Sequence, residues 1–345
     1  MTEELAMGSS AAARSCAGAR SPWSVAACLR GLASLKLTLA VLIALGAGVM
    51  LHDPQVGSSV WLITAPLLVG ACNLGAAVLV NPVFRRQSAL LTFHLALLVI
   101  VVLAAAGRLT YLKGELELAQ GEVFEGRLTR SEHGPWHRSQ LERVRFVNDG
   151  YTIGYEEGVR RAETRNVVRW LDDTGREQRS VIGDIEPLVR HGYRFYTSFN
   201  KGFAPVFIWH PANGVPQRGA INLPSYPIHE FGQALEWTLP GTEATLWTML
   251  QFDEVLLDPA RKSQFRLPAR HTLVVRANGE RHELQPGTRL AFPQGVLEYE
   301  RLSTWMGYTV HSDWTLPWLA AASLLAVVSL GWHFWRLFAL QPWDT

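Results

Sequence analysis

The feature that most constrains this chain is Ser88–Gly107, SALLTFHLALLVIVVLAAAG, an apolar run interrupted by one ionisable residue, His94. About 20 residues rising ~1.5 Å each match the ~30 Å hydrocarbon core of a bilayer, so the run predicts a membrane-spanning helix. An ionisable side chain at that depth costs roughly 3 kcal/mol or more unless it is partnered, and such residues mark function. His94 is therefore the first candidate site residue, and its partner is the first thing to look for.

Three further runs have the same character: about Leu35–Leu51, Val60–Val80 and Thr315–Trp335. Charged residues make up only 18% of the 345 residues, below the ~25% usual for soluble proteins. Cytoplasmic loops are enriched in Lys and Arg. Arg14, Arg20, Arg30 and Lys36 precede the first run, Arg85 and Arg86 sit in the tight second connection, and Arg336 follows the fourth. The first connection, HDPQVGSS, carries neither residue type. The expected fold is a membrane protein with four transmembrane α-helices, both termini cytoplasmic, and an extracytoplasmic domain inserted between the third and fourth helices. The expected boundaries are a disordered cytoplasmic tail over 1–32, a three-helix part over 33–107, the outer domain over 108–313, the fourth helix over 314–336 and a cytoplasmic end over 337–345. A basic leader before an apolar stretch ending near ALGAG also fits a cleaved signal peptide. Three more runs and a consistent topology for the set of four favour the spanning reading.

The outer domain has a different texture. NDG (148–150), DDTG (172–175) and ANG (212–214 and 277–279) read as turns, separating short alternating runs such as RVRFV, YRFYTSF, APVFIWH, HTLVVRA and VLEYERL. A β-rich, antiparallel sandwich or open barrel is the expectation. This segment has no cysteine; the chain's three, Cys16, Cys28 and Cys72, lie before it and show no C-x-x-C or metal-like spacing. It carries no G-x-S-x-G, H-E-x-x-H or Walker loop, so no catalytic residue is assigned. The net charge of +2 and the lack of a nucleic-acid-binding motif argue against nucleic acid. His133 and His137, in HGPWH, have an i, i+4 spacing, but Gly and Pro break the helix that would bring both rings to one face. They are expected to be exposed loop histidines rather than a metal site.

In the hairpin of the second and third runs, joined by NPVFRRQ, Asn73 and His94 lie at nearly equal distances from a pivot near Phe84. They should share a depth in the cytoplasmic half of the membrane. An interhelical hydrogen bond from Asn73 to one imidazole nitrogen would leave the other free for a metal. The same residues could equally serve as helix glue, with His94 bonded to Thr92 or to a backbone carbonyl.

A resemblance goes further. LASLKLTLAVLIALGAGVMLHDPQ, the hairpin, and LLTFHLALLVIVV followed by GELELAQGEVFEG resemble the N-terminal part of the ResB-like cytochrome c biogenesis family. YRFYTSFNKGFAPVFIW, RGAINLP and WMGYTVHSDWTLPWLAAASLL resemble that family's outer domain and last span, so the likeness runs in order from about Ala33 to Arg336. It implies a subunit of the System II haem exporter and cytochrome c synthase, with haem b held transiently in the membrane. His94 is then the metal ligand, and Asn73 the cofactor-binding residue behind it. The implied partners are apocytochrome c and a multi-span haem-handling synthase subunit that carries the Trp-rich motif. This chain lacks that motif: Trp332, Trp335 and Trp343 are spaced like an interfacial belt.

Overall fold

The computed structural model describes residues 25–53, 56–172, 174–229, 232–277 and 279–339. The chain divides into two compact units. One comprises the residues up to His52, Trp61–Ala105 and those from Leu319 on; the other comprises Asp53–Val60 and Ala106–Trp318.

The first unit is helical. Its elements are α1 (Val25–Leu32), α2 (Leu35–Leu51), α3 (Trp61–Val80), α4 (Pro82–Arg86), α5 (Ser88–Thr110, which continues into the second unit) and α6 (Leu316–Ala339). The segments Gly57–Val80, Ser88–Thr110 and Leu316–Ala339, of 24, 23 and 24 residues, are long and apolar enough to cross a membrane. α2 is apolar too, but its 17 residues reach only about 25 Å. These helices are apolar on every side and leave large side chains uncovered, such as Ile43 at 65% and Val327 at 68% exposure. A water-soluble fold would bury such faces; lipid needs no such cover.

The structure extends the expected third and fourth runs, taking α5 to Thr110 and α6 to Ala339. Arg108 in the last turn of α5 favours that end of the helix dipole. The expected disordered tail over 1–32 is corrected at its C-terminal edge. Residues 25–32 are helical, and α1 packs against α3. Tertiary packing here outweighs the weak intrinsic tendency of an eight-residue segment. Residues 1–24, including Cys16, lie outside the described residues. At the pivot, Pro82 opens α4, and the Asn81 side chain accepts the Val83 N–H at 3.0 Å. The connection is thus one capped turn that buries Phe84.

The second unit is β-rich, as expected, and is built from three antiparallel sheets of seven, four and five strands with one large apolar core cluster. Its spine is a pair of long strands, Tyr193–Pro211 and Gly295–Ser312, with register shifts after Tyr299 and Met306. Leu112–Ala119, the strand after α5, pairs along the far edge of Gly295–Ser312, which leads back to α6. Alternation places Leu112, Leu116 and Leu118 in the core and Glu115 and Glu117 outside it.

Of the expected turns, 172–175 and 212–214 connect strands as anticipated, and the Ala277/Glu280 pair closes a hairpin around 278–279, of which Asn278 lies outside the described residues. NDG is different. It lies inside the strand Phe146–Glu156 as a bulge, with Gly150 at φ 113° and the register slipping between Asn148 and Gly150. The cause is the Asn148 side chain, which is fully buried and turns inward to donate to Leu118 O and accept from Gly150 N. Among the described residues the free cysteines are Cys28 and Cys72, both exposed.

Candidate functional site

α5 begins at Ser88, which sets His94 well inside the helix, half-buried. His94 Nδ1 lies 2.8 Å from Leu90 O, one turn back. A carbonyl oxygen only accepts, so Nδ1 is the donor; in the neutral ring Nε2 then carries the lone pair. Nε2 makes no hydrogen bond among the described residues. The Phe84 ring lies 4.5 Å from the imidazole centre, tilted across it, and Phe93 lies 5.2 Å away edge-on. The pivot residue that the sequence marks only as a loop position thus becomes one wall of the histidine's surroundings. Sequence reasoning missed Phe84 because nothing in NPVFRRQ says that its ring folds back onto the next helix.

The expected Asn73–His94 hydrogen bond is not made. Asn73 is 5% exposed, and its amide is used elsewhere. Nδ2 donates to Leu32 O and Ser34 O, and Oδ1 accepts from Thr38 Oγ1 at 2.8 Å. The reason is the break between α1 and α2. A helix end leaves carbonyls without intrahelical donors, and in an apolar setting those groups must find partners within the protein. Asn73 supplies one from α3 to Leu32 O at the end of α1, reaches Ser34 O, which also accepts the Leu37 and Thr38 N–H groups, and so fastens three helices together. Asn73 therefore does not orient His94; the group on the imidazole is Leu90 O. Replacing Asn73 by Leu should therefore lower stability without altering the histidine. Three interhelical bonds at ~0.6 kcal/mol each amount to about 2 kcal/mol, readable as a lowered melting temperature of the detergent-purified chain.

The bond from His94 to a backbone carbonyl is the arrangement expected of the alternative in which the residue serves as helix glue, and it leaves Nε2 without a hydrogen bond among the described residues. Metal-binding histidines usually donate the second ring N–H to a carbonyl or carboxylate, which fixes the ring and leaves one nitrogen for the metal.

His133 is exposed, as expected, at the end of the strand Arg130–His133, whereas His137 has other work. His137 Nδ1 is 2.9 Å from Thr110 O and Nε2 is 3.2 Å from the Tyr193 hydroxyl, so the ring is half-buried rather than a free loop group. Gly134 N–H donates to Tyr111 O and Trp136 N–H to Leu109 O, which satisfies carbonyls at and just beyond the end of α5. A Cβ at Gly134 would meet Leu109 O at 2.3 Å, so this close approach requires glycine. HGPWH is a helix cap. Among the described residues no group of three or more His, Cys, Asp or Glu is placed to hold a metal ion.

No protein family matches this chain, and no curated protein matches it.

Proposed function

We propose that this chain is the smaller subunit of an inner-membrane complex that carries haem b across the bilayer and delivers it for attachment to apocytochrome c, as in the ResB-like family its segments resemble. The observation that carries this reading is His94: a lone histidine in a 23-residue apolar helix, tethered through Nδ1 to Leu90 and flanked by two phenylalanines. Haem is the cargo, and its iron takes an axial imidazole nitrogen. Leu90 O holds the ring in the tautomer that presents Nε2. Phe84 and Phe93 line the approach and exclude water. One histidine serves one face of the iron, so the opposite ligand comes from the multi-span partner, which also carries the Trp-rich motif. The chain acts as an accessory subunit of the haem lyase and brings no catalytic residue of its own.

A four-span topology belongs to the same proposal. α2 is the shortest span, at the lower end of the 17–25 residues a membrane helix uses. Both termini face the cytoplasm of a bacterial cell and the β-rich unit lies outside. The Lys and Arg placement supports this orientation. Reporter fusions at Gln87 and Gly214 should read cytoplasmic and extracytoplasmic respectively; a cytoplasmic signal from Gly214 would sink the scheme.

The function is tested by the absorption spectrum of the protein purified with its membrane partner in mild detergent, which should carry a Soret band. A colourless complex, with cytochrome c maturation unimpaired in cells lacking the chain, would point instead to a membrane-tethered assembly chaperone or respiratory-complex accessory protein that never touches haem.

A further inference from the structure

The tryptophans divide sharply by exposure. Among the described residues Trp61, Trp136, Trp314, Trp318, Trp332 and Trp335 are exposed. Trp170, Trp209, Trp237, Trp247 and Trp305 all lie on strands, and each is buried or half-buried. The exposed ones follow the helix ends instead. Trp61 opens α3, Trp314 and Trp318 flank the start of α6, and Trp332 and Trp335 lie in the last turns of α6. Trp136 alone is on a loop of the β-rich unit.

That loop, HGPWH, is tied to the end of α5, which with the start of α6 belongs to the same unit. Trp136 N–H donates to Leu109 O, Gly134 N–H donates to Tyr111 O, and the His137 ring reaches Thr110 O. Trp314 Nε1 donates to Thr110 Oγ1 at 2.9 Å, so a second tryptophan is fastened to the same turn. Pro135 restricts the backbone just before Trp136. The Trp136 side chain is nevertheless 61% exposed, and its Nε1 makes no hydrogen bond among the described residues. The backbone is held, and the ring is left outside the fold.

What covers these rings follows from α6. The stretch from Trp318 to Trp335 measures about 26 Å at ~1.5 Å per residue. That is close to the ~30 Å of a hydrocarbon core, and tryptophan gathers at both boundaries of the core because the indole is apolar in body and polar at Nε1. A protein partner would impose no such interval. The apolar surface also runs on along α6, where Leu316, Leu324 and Val328 are exposed. Trp136 thus stands at the level where one of the two belts begins, because its backbone and the Trp314 ring hold the same turn of α5.

We propose that HGPWH is a lipid-seated foot of the β-rich unit: Trp136, with Trp314 and Trp318, lies at the boundary of headgroups and acyl chains in the outer leaflet, and Trp136 Nε1 donates to a lipid phosphate or ester oxygen. The seat requires the spanning reading of α5 and α6 given above and is independent of what His94 holds. It is tested on the full-length protein labelled with fluorotryptophan in bicelles of phosphatidylcholine and phosphatidylglycerol, the fluorine resonances being assigned through Trp136→Phe and Trp335→Phe. Each change removes an exposed ring that makes no hydrogen bond among the described residues, so both variants should fold. A lipid bearing a nitroxide at the top of its acyl chain should erase most of the Trp136 and Trp335 signals, and a water-soluble gadolinium chelate should weaken both less. If Trp335 responds to the lipid and Trp136 only to the chelate, the proposal is overturned while α6 still spans, and the loop faces solvent or a protein partner. If neither responds to the lipid, the spanning reading falls and takes the proposal with it.

Discussion

Replacing His94 by Ala is expected to remove most of the Soret absorption of the purified complex and to abolish cytochrome c maturation, while the protein inserts and accumulates normally. Among the described residues the side chain hydrogen-bonds only to Leu90 O, one turn back, and its ring lies beside Phe84 and Phe93. Its deletion breaks no helix-to-helix hydrogen bond, so the fold has little to lose. The proposed ligand function has everything to lose, because it rests on the His94 imidazole. His94→Gly should regain part of the band on addition of imidazole, since a small diffusible base can enter the space left between the two phenylalanines. Replacing Asn73 should leave the band in place, because its amide serves the α1–α2 break and not the imidazole. If His94→Ala kept both the wild-type spectrum and full maturation, the histidine would be helix glue and the haem reading would fall.

Asn166→Leu is expected to be the most damaging single change in the β-rich unit. Asn166 is fully buried. It donates to Asn148 Oδ1 at 2.8 Å and to Gly150 O at 2.9 Å, and accepts from the Tyr308 hydroxyl at 2.9 Å. Asn148 in turn reaches Leu118 O. Four strands are thus joined through two amides. Leucine is close to asparagine in volume but leaves the Tyr308 hydroxyl and the Gly150 carbonyl without this partner and takes one donor from Asn148. At ~1–3 kcal/mol for each orphaned group, the cost is about 4 kcal/mol. For a unit of this size that lowers the melting temperature by about 10 °C. Tyr308→Phe removes only one of those bonds and should cost about 1 kcal/mol. A melting temperature within about 2 °C of wild type for Asn166→Leu would show that the network can rearrange around the loss.

The comparison of sequence with structure divides along a physical line. The long apolar runs were legible because length and composition alone decide whether a helix can replace its contacts with water by contacts with lipid. His94 was legible for the same reason: an ionisable group in such a run is conspicuous whatever surrounds it. The alternating runs of the outer segment likewise announced strands, because the period of side chains along a strand is a local property. Cysteine content settled in advance that the β-rich unit folds without disulfides.

Partners were another matter. Asn73 and His94 stand at nearly equal sequence distances from Phe84, yet the amide went to Leu32 O, left without a helical donor because the chain breaks between Leu32 and Leu35, and the break becomes visible only once α1 and α2 have formed. NDG carries the residues of a turn, but the burial of Asn148 against a strand thirty residues earlier made it a bulge. Trp136 and Trp314 are both fastened to the end of α5 from places far apart along the chain, and no local pattern links them. Sequence by itself determined the long apolar helices, the strand character of the segment between them and the place of one ionisable group in an apolar helix, because those follow from length and spacing along one element, whereas α1 formed only through packing. Which side chains meet was decided only by the tertiary structure, since a hydrogen bond goes to whatever unsatisfied group the packing brings within about 3 Å.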